Sequence, residues 1–357
     1  MGYICLGLSL AICFIFSNSA SASSLPWPEV LLRQEEYVVY LQHKSGCLTM
    51  TPFDARINPY FNNLALWGIV DNPEYNETIR KWADWYINHL NRPDKFAVHG
   101  SIYDYMLIGT DSVAPTEDYD SSDSYAATFL SLMRRYYDTN HDEAFLLSLE
   151  PALSLIVDAI YATMDPTDKL TYAKMNYRLK YLMDNIEVFN GLDDWAYLLQ
   201  HVYNKPDTAL KIREDAHLCK QSLQKMWNGK NFAYAKDEAG KLFTSYSDKF
   251  YPDMTAQLMA IALEFATPEQ AKIIWFEFNK HFPQWTHLGH PDSFPWTIMA
   301  YTAAKIGDWE KTIAYLESVE SSYSSIHYRY PWYAAEAGWY LQTLRLMPES
   351  YLLKNWE

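Results

Sequence analysis

The chain has 357 residues, 44 acidic against 29 basic side chains and a formal charge of −15, with aromatics at 16%. That charge argues against a nucleic-acid backbone as partner. The length allows one large core or two ordinary domains, and no linker-like or low-complexity tract divides it.

The chain opens on an apolar stretch, residues 3–16, followed by Ser17-Asn18-Ser19-Ala20-Ser21-Ala22. Ala20-Ser21-Ala22 fits a small-residue cleavage site, so residues 1–22 read as a secretory leader, although no basic residue precedes the apolar core. The run is short for a bilayer span, and neither Cys5 nor Cys13 follows the small residue of a lipoprotein site. No later segment reads as long and apolar enough to cross a membrane. Residues 23–357 are therefore expected as one exported domain, secreted or periplasmic, without membrane or nucleic-acid partners. Cys47 and Cys219 remain there, either as a disulfide or as two thiols.

Helical periodicity dominates the remainder of the chain. Residues 27–42 supply a first helix, and Asn58-Pro59-Tyr60 leads into an apolar helix through 64–70. Proline suits a first helical turn, where its missing N–H costs nothing. Ile79, Trp82, Ala83, Tyr86 and Leu90 then mark one face of an amphipathic helix. Apolar residues 125–137 follow the acidic run Glu117-Asp118-Tyr119-Asp120-Ser121-Ser122-Asp123, and Phe145, Leu149, Leu153, Ile156 and Ile160 mark the next amphipathic face. Met183-Asp184-Asn185 precedes apolar residues 186–199, and Tyr251-Pro252-Asp253 precedes 254–265. Thr267-Pro268-Glu269-Gln270 reads as a capping box for a helix through Phe278. Phe294-Pro295-Trp296 leads into 296–304, Asp308 caps the helix of Ile313, Leu316 and Val319, and Tyr330-Pro331-Trp332 leads into 332–346.

Helices apolar nearly all round belong inside a fold, and here they alternate with amphipathic ones. The order predicts an all-α protein, an (α/α)6 toroid whose six inner helices are shielded by outer ones. Thr171-Tyr172-Ala173-Lys174 and Ala233-Tyr234-Ala235-Lys236, the latter before the turn Asp237-Glu238-Ala239-Gly240, are expected as small β-ribbons at the cleft mouth or as plain loops.

In such a toroid the inner helices' N-termini converge on one end, where free N–H groups favour anions and polar ligands. Asp118, Asp120 and Asp123 exceed what capping needs, yet lack the glycine and distal glutamate of an EF-hand loop. No metal or cofactor is implied. Asp184 and Glu187 share a helix face within an apolar sequence. Burial there raises a carboxyl toward the range of a general acid, unless Arg178 or Lys180 ties it into a structural network. Glycoside hydrolysis needs one carboxylic acid and one carboxylate. Asp184 is expected as the acid and Asp123 as base or sugar-orienting group, with Asp253 a third candidate. Trp296, Trp332, Tyr60 and Tyr125 are candidate stacking platforms. Arg56, Asn58, His99, Tyr103 and Asp104, with Asp120 and Glu187, are expected to line the cleft.

The pattern resembles six-hairpin glycosidases over nearly the whole mature chain. Ser121-Ser122-Asp123-Ser124-Tyr125-Ala126 is similar to the acidic second-helix motif of family 8 glycoside hydrolases, which implies sugar contact by Asp123. That family's Glu-Gly-Gln-type motif has no counterpart in Asn58-Pro59-Tyr60-Phe61-Asn62. Leu182-Met183-Asp184-Asn185 resembles the Asp-Asn motif of unsaturated glucuronyl hydrolases, which implies an acid/base role for Asp184. The expected activity is hydrolysis of a polysaccharide or oligosaccharide. A polysaccharide lyase using His99, Tyr103 and Arg56 is one alternative, and a non-catalytic glycan-binding protein on the same fold is another. No zinc-protease, phosphate-loop or nucleophile-elbow motif is present.

Overall fold

A computed structural model describes residues 25–352, so the expected leader lies outside the described residues. Twelve helices form two concentric layers. They are α1 (Trp27–Tyr40), α2 (Pro59–Trp67), α3 (Asn76–Asn88), α4 (Ser122–Asn140), α5 (Glu143–Thr163), α6 (Leu182–His201), α7 (Pro206–Gln224), α8 (Thr255–Ala262), α9 (Pro268–His281), α10 (Ile298–Lys305), α11 (Trp309–Tyr323) and α12 (Ala334–Arg345). The even-numbered helices pack each on the next, and α12 returns to α2 to close the ring. Every residue of α8 is buried, whereas outer α9 buries only Ala271, Ile274 and Phe278, a single stripe. Outer α5, α7, α9 and α11 each lie on the inner helix before them, and α1 lies on α12. Outer α3 is tied inward by hydrogen bonds from Trp82 to Asn63 on α2 and from Tyr86 to the Tyr125 carbonyl on α4.

The inner ring closes at glycines. A Cβ on Gly338 of α12 would stand 2.7 Å from Ala65 Cα on α2, and one on Gly191 of α6 would stand 2.6 Å from the Ala127 carbonyl oxygen on α4. At both points two inner helices touch backbone to backbone, a distance that any side chain would force apart.

The capping box at Thr267 and Gln270 forms as expected, and Asp308 caps α11. Of the four proline-marked starts, only Pro59 stands in a first α-helical turn, with Asn58 as N-cap. Pro252 falls in a π-type turn before α8, and Pro295 and Pro331 precede the first residues of α10 and α12. One sequence expectation fails at α5. It has 21 residues, and with an 18-residue window of mean hydropathy 1.6 it is long and apolar enough to span a membrane by length and composition. Here half of the apolar window is buried inside the protein, and the helix packs on α4.

Two small antiparallel sheets sit at one end of the ring. The first joins β1 (Arg56–Ile57), β2 (Tyr105–Leu107) and β3 (Val113–Pro115). The second joins β4 (Leu179–Tyr181), β5 (Ala235–Asp237) and β6 (Leu242–Phe243), with the expected turn between β5 and β6. Thr171 and Lys174 make only isolated bridges, so the second ribbon pairs with residues 179–181 rather than with 171–174. Cys47 and Cys219 are buried, unlinked thiols.

Candidate active site

The inner helices' N-terminal turns gather a group of carboxylates and phenols. On one wall Asn58 caps α2 through Oδ1, leaving its amide nitrogen to donate to Asp104 Oδ1 at 3.1 Å and to the Tyr125 hydroxyl at 2.8 Å. Tyr125 also donates to Asp104 Oδ1 at 3.0 Å. The residue before β2 is thus fixed against the starts of α2 and α4. Burial pushes Asp104 up to about 6 despite these two donors.

The centre of the site is the meeting of α4 and α6. Ser121 Oγ lies 2.6 Å from Asp123 Oδ1 and 3.0 Å from Asp184 Oδ2. Asp123 is fully buried, and it also receives the Thr171 hydroxyl at 2.5 Å and the Ser124 N–H at 2.9 Å. Burial pushes it up to about 6, against the pull of those donors. Asp184 is half-buried in the first turn of α6. Burial raises it well above the ordinary aspartate range, and the charges of Asp123 and Glu187 add to the rise. A serine hydroxyl has one proton to give. If it goes to the nearer Asp123, Asp184 must carry its own proton and donate it to Ser121 Oγ. Geometry and electrostatics agree on one protonated and one ionised carboxyl. The alternative network does not form, because Lys180 binds Asp165 and Asp168, and Arg178 binds Glu238.

Glu187, one turn along α6, is buried and accepts the Tyr60 hydroxyl at 2.7 Å. The Tyr60 ring stacks on Tyr125 with centroids 6.0 Å apart. Burial pushes Glu187 up to about 8. A carboxyl raised in the folded state favours the fold while protonated, and that contribution fades as pH climbs from its ordinary value toward about 8. Glu187→Gln is therefore expected to gain in melting temperature on the native protein between pH 5 and 9. A constant difference across that range would contradict a buried, protonated Glu187. Behind it, a cavity of about 410 Å³ enters the ring from the opposite end, between Arg134, Arg135 and Asp194.

The opposite wall is built on a residue outside the sequence expectations. Glu336, in the first turn of α12, accepts the Trp296 N–H at 3.2 Å and the Thr297 N–H at 2.6 Å, and so caps α10. Burial raises it, while those N–H groups favour its charged form. They also hold Trp296 at φ +55°, a conformation rare for a bulky side chain. Tyr333 lies beside Glu336, and Tyr60 feels both Tyr333 and Asp184, so Tyr60 stands between the two walls. Tyr251 packs on Trp296 with ring centroids 5.4 Å apart. The sequence does carry a signal for Glu336, a lone acid in the run Ala334-Ala335-Glu336-Ala337-Gly338.

Several expected residues are placed otherwise. Asp123 is fully buried, with its carboxyl turned onto Ser121 and Thr171. Asp253 is buried and accepts the Tyr246 N–H, which fixes the turn before α8. Trp332 is fully buried against Tyr323, Tyr328 and Tyr340 and offers no stacking face. Tyr103 is buried, stacked on Tyr119, and its hydroxyl accepts the Lys95 N–H. His99 is exposed on the loop between α3 and β2, and exposed Arg56 pairs with Asp54. Asp120 is exposed at the mouth, where its charge reaches Asp104 and Asp184. A wider groove of about 1180 Å³ runs over the outer wall at α9 and α11 and contains none of these groups.

No family model matches the chain, and no curated protein matches it. Solved structures do. A glycosidase variant with a glutamate replaced by alanine, in complex with glucose, is 11% identical, with a TM-score of 0.64 over 90% of this chain and 98% of that one. A rhamnosidase from Klebsiella oxytoca with rhamnose bound is 13% identical, with a TM-score of 0.56 over 90% of this chain and 65% of that one. An uncharacterized conserved protein from Thermus thermophilus is 10% identical, with a TM-score of 0.62 over 89% of this chain and all of that one. At such identity the likeness is one of fold.

Proposed function

We propose that this protein is a glycoside hydrolase in which Asp184 protonates the leaving oxygen and Glu336 activates the attacking water. The observation that carries the reading is the Ser121 hydroxyl within hydrogen-bond reach of both Asp123 and Asp184: it has one proton to give, so the second bond takes a proton from Asp184. A general acid must hold a proton where ordinary aspartate has lost it, and burial beside two carboxyls supplies that condition. Burial raises Glu336, and the two backbone N–H groups at the α10 start oppose that rise by favouring the ionised form that a base needs. Asp123 acts through Ser121, keeping the donor aimed and protonated. The shared fold with structures described as a glycosidase and a rhamnosidase supports the same reading.

The lyase alternative is the less supported one. It needs a cation to neutralise a uronate carboxylate, but Arg56 is engaged by Asp54, and Tyr103 is buried against Tyr119. Export across a membrane is part of the proposal and rests on the leader-like residues 1–22. A panel of oligosaccharides separates the readings. Hydrolysis releases reducing ends without ultraviolet absorbance, a lyase releases an absorbing unsaturated product, and retention of a glycan without turnover leaves only binding.

A further inference from the structure

Beside Asp184 lies a cavity of about 520 Å³ whose walls are aromatic: Tyr177, Tyr181, Tyr234, Phe243 and Tyr251. Its size falls in the ordinary range of small-molecule sites, about 300–1,000 Å³. Tyr181 is the N-cap of α6, three residues before Asp184, and both Tyr181 and Tyr251 feel the Asp184 charge. The cavity and the acid are therefore neighbours. Tyr177 and Tyr181 stack with centroids 6.4 Å apart and share a hydrogen bond between their hydroxyls at 3.1 Å. Tyr177 is 48% exposed and Tyr251 59%, so neither ring is explained by core packing. With Trp296 against Tyr251, the aromatic surface runs from β4 past Asp184 to the start of α10.

We propose that this cavity is the leaving-group subsite, and that it takes an uncharged pyranose unit of an oligosaccharide. This rests on the hydrolase reading and gives it a substrate class. Phenol rings present an apolar face to the C–H face of a sugar and a hydroxyl to its edge. The titratable groups felt at the inner end, Asp184, Asp120 and Asp292, are all carboxyls and offer an anionic sugar no counter-charge. Of the cations at the rim, Arg178 is turned away, paired with Glu238 and stacked on Tyr172, while Lys241 lies over the Phe243 ring.

A glycosyl fluoride tests this, because its leaving group is too small to reach the cavity. The substitutions Tyr177→Ala and Tyr251→Ala should lower kcat/KM for a neutral oligosaccharide about ten-fold more than for the matching fluoride, the scale of one lost aromatic contact. Tyr177 is exposed on a surface loop, so its variant keeps the test free of a folding defect, which circular dichroism verifies. An oligosaccharide with a uronic acid in the leaving position should be the poorer substrate. Equal losses on oligosaccharide and fluoride, or a preference for the uronate, overturn the subsite while the hydrolase reading stands. Failure of the wild-type protein to hydrolyse either substrate overturns that reading, and the subsite falls with it.

Discussion

Asp184→Asn is expected to lower kcat for an oligosaccharide by about 10²–10⁴-fold, the usual contribution of a general acid. The amide keeps the shape of the side chain and can still donate to Ser121 Oγ, so the helix start and the fold should survive. The loss should shrink sharply on a glycosyl fluoride, since fluoride departs without a proton. The pH profile supplies the sign. The donor works only while protonated, so wild-type kcat/KM should fall as pH rises through the elevated ionisation of Asp184. That alkaline limb should be absent from the variant. Full activity of Asp184→Asn on the oligosaccharide would remove the assignment.

Glu336→Gln should cost a comparable factor, about 10²-fold or more, but with a different signature. Water must be activated whatever leaves, so oligosaccharide and fluoride should suffer alike. The amide nitrogen would also face one of the two N–H groups of Trp296 and Thr297, loosening the start of α10 and lowering the melting temperature. Glu336→Asp separates the two effects, because it keeps the charge while withdrawing it from the α10 start. If water attacks directly, the first-formed sugar carries inverted anomeric configuration, which NMR of the fresh product reads. A Glu336→Gln variant that is unstable yet fully active per folded molecule would reduce Glu336 to a helix cap.

The ring was legible because inner and outer helices differ in a property that sequence records directly. Residues 254–265 are apolar on most sides, whereas Ala271, Ile274 and Phe278 form one stripe, and their alternation gives the two layers. The sheet of β1, β2 and β3 was not legible, since strands of two or three residues carry no period. Asp123 and Asp184 look alike in sequence, each an acid opening an apolar helix. What separates them is Thr171, folded back to seal Asp123, a contact across 48 positions that no local pattern announces. Trp332 stands two residues before α12 instead of on it, which turns its ring outward among Tyr323, Tyr328 and Tyr340. Tyr60 and Tyr125 did meet, because each sits in the first turn of an adjacent inner helix. The partners of Asp184 follow from three-dimensional closure alone.

The claim on which the rest depends is that Asp184 holds a proton while Asp123, across Ser121, is ionised. Carbon-13 NMR of aspartate side-chain carboxyls across a pH titration, assigned by comparison with Asp184→Asn, measures this directly. The account predicts that, among the aspartate carboxyl carbons titrating above the ordinary value of about 3.9, the highest is missing from the variant. An Asp184 carbon that titrates near that ordinary value, with Asp123 carrying the proton in its place, would contradict it.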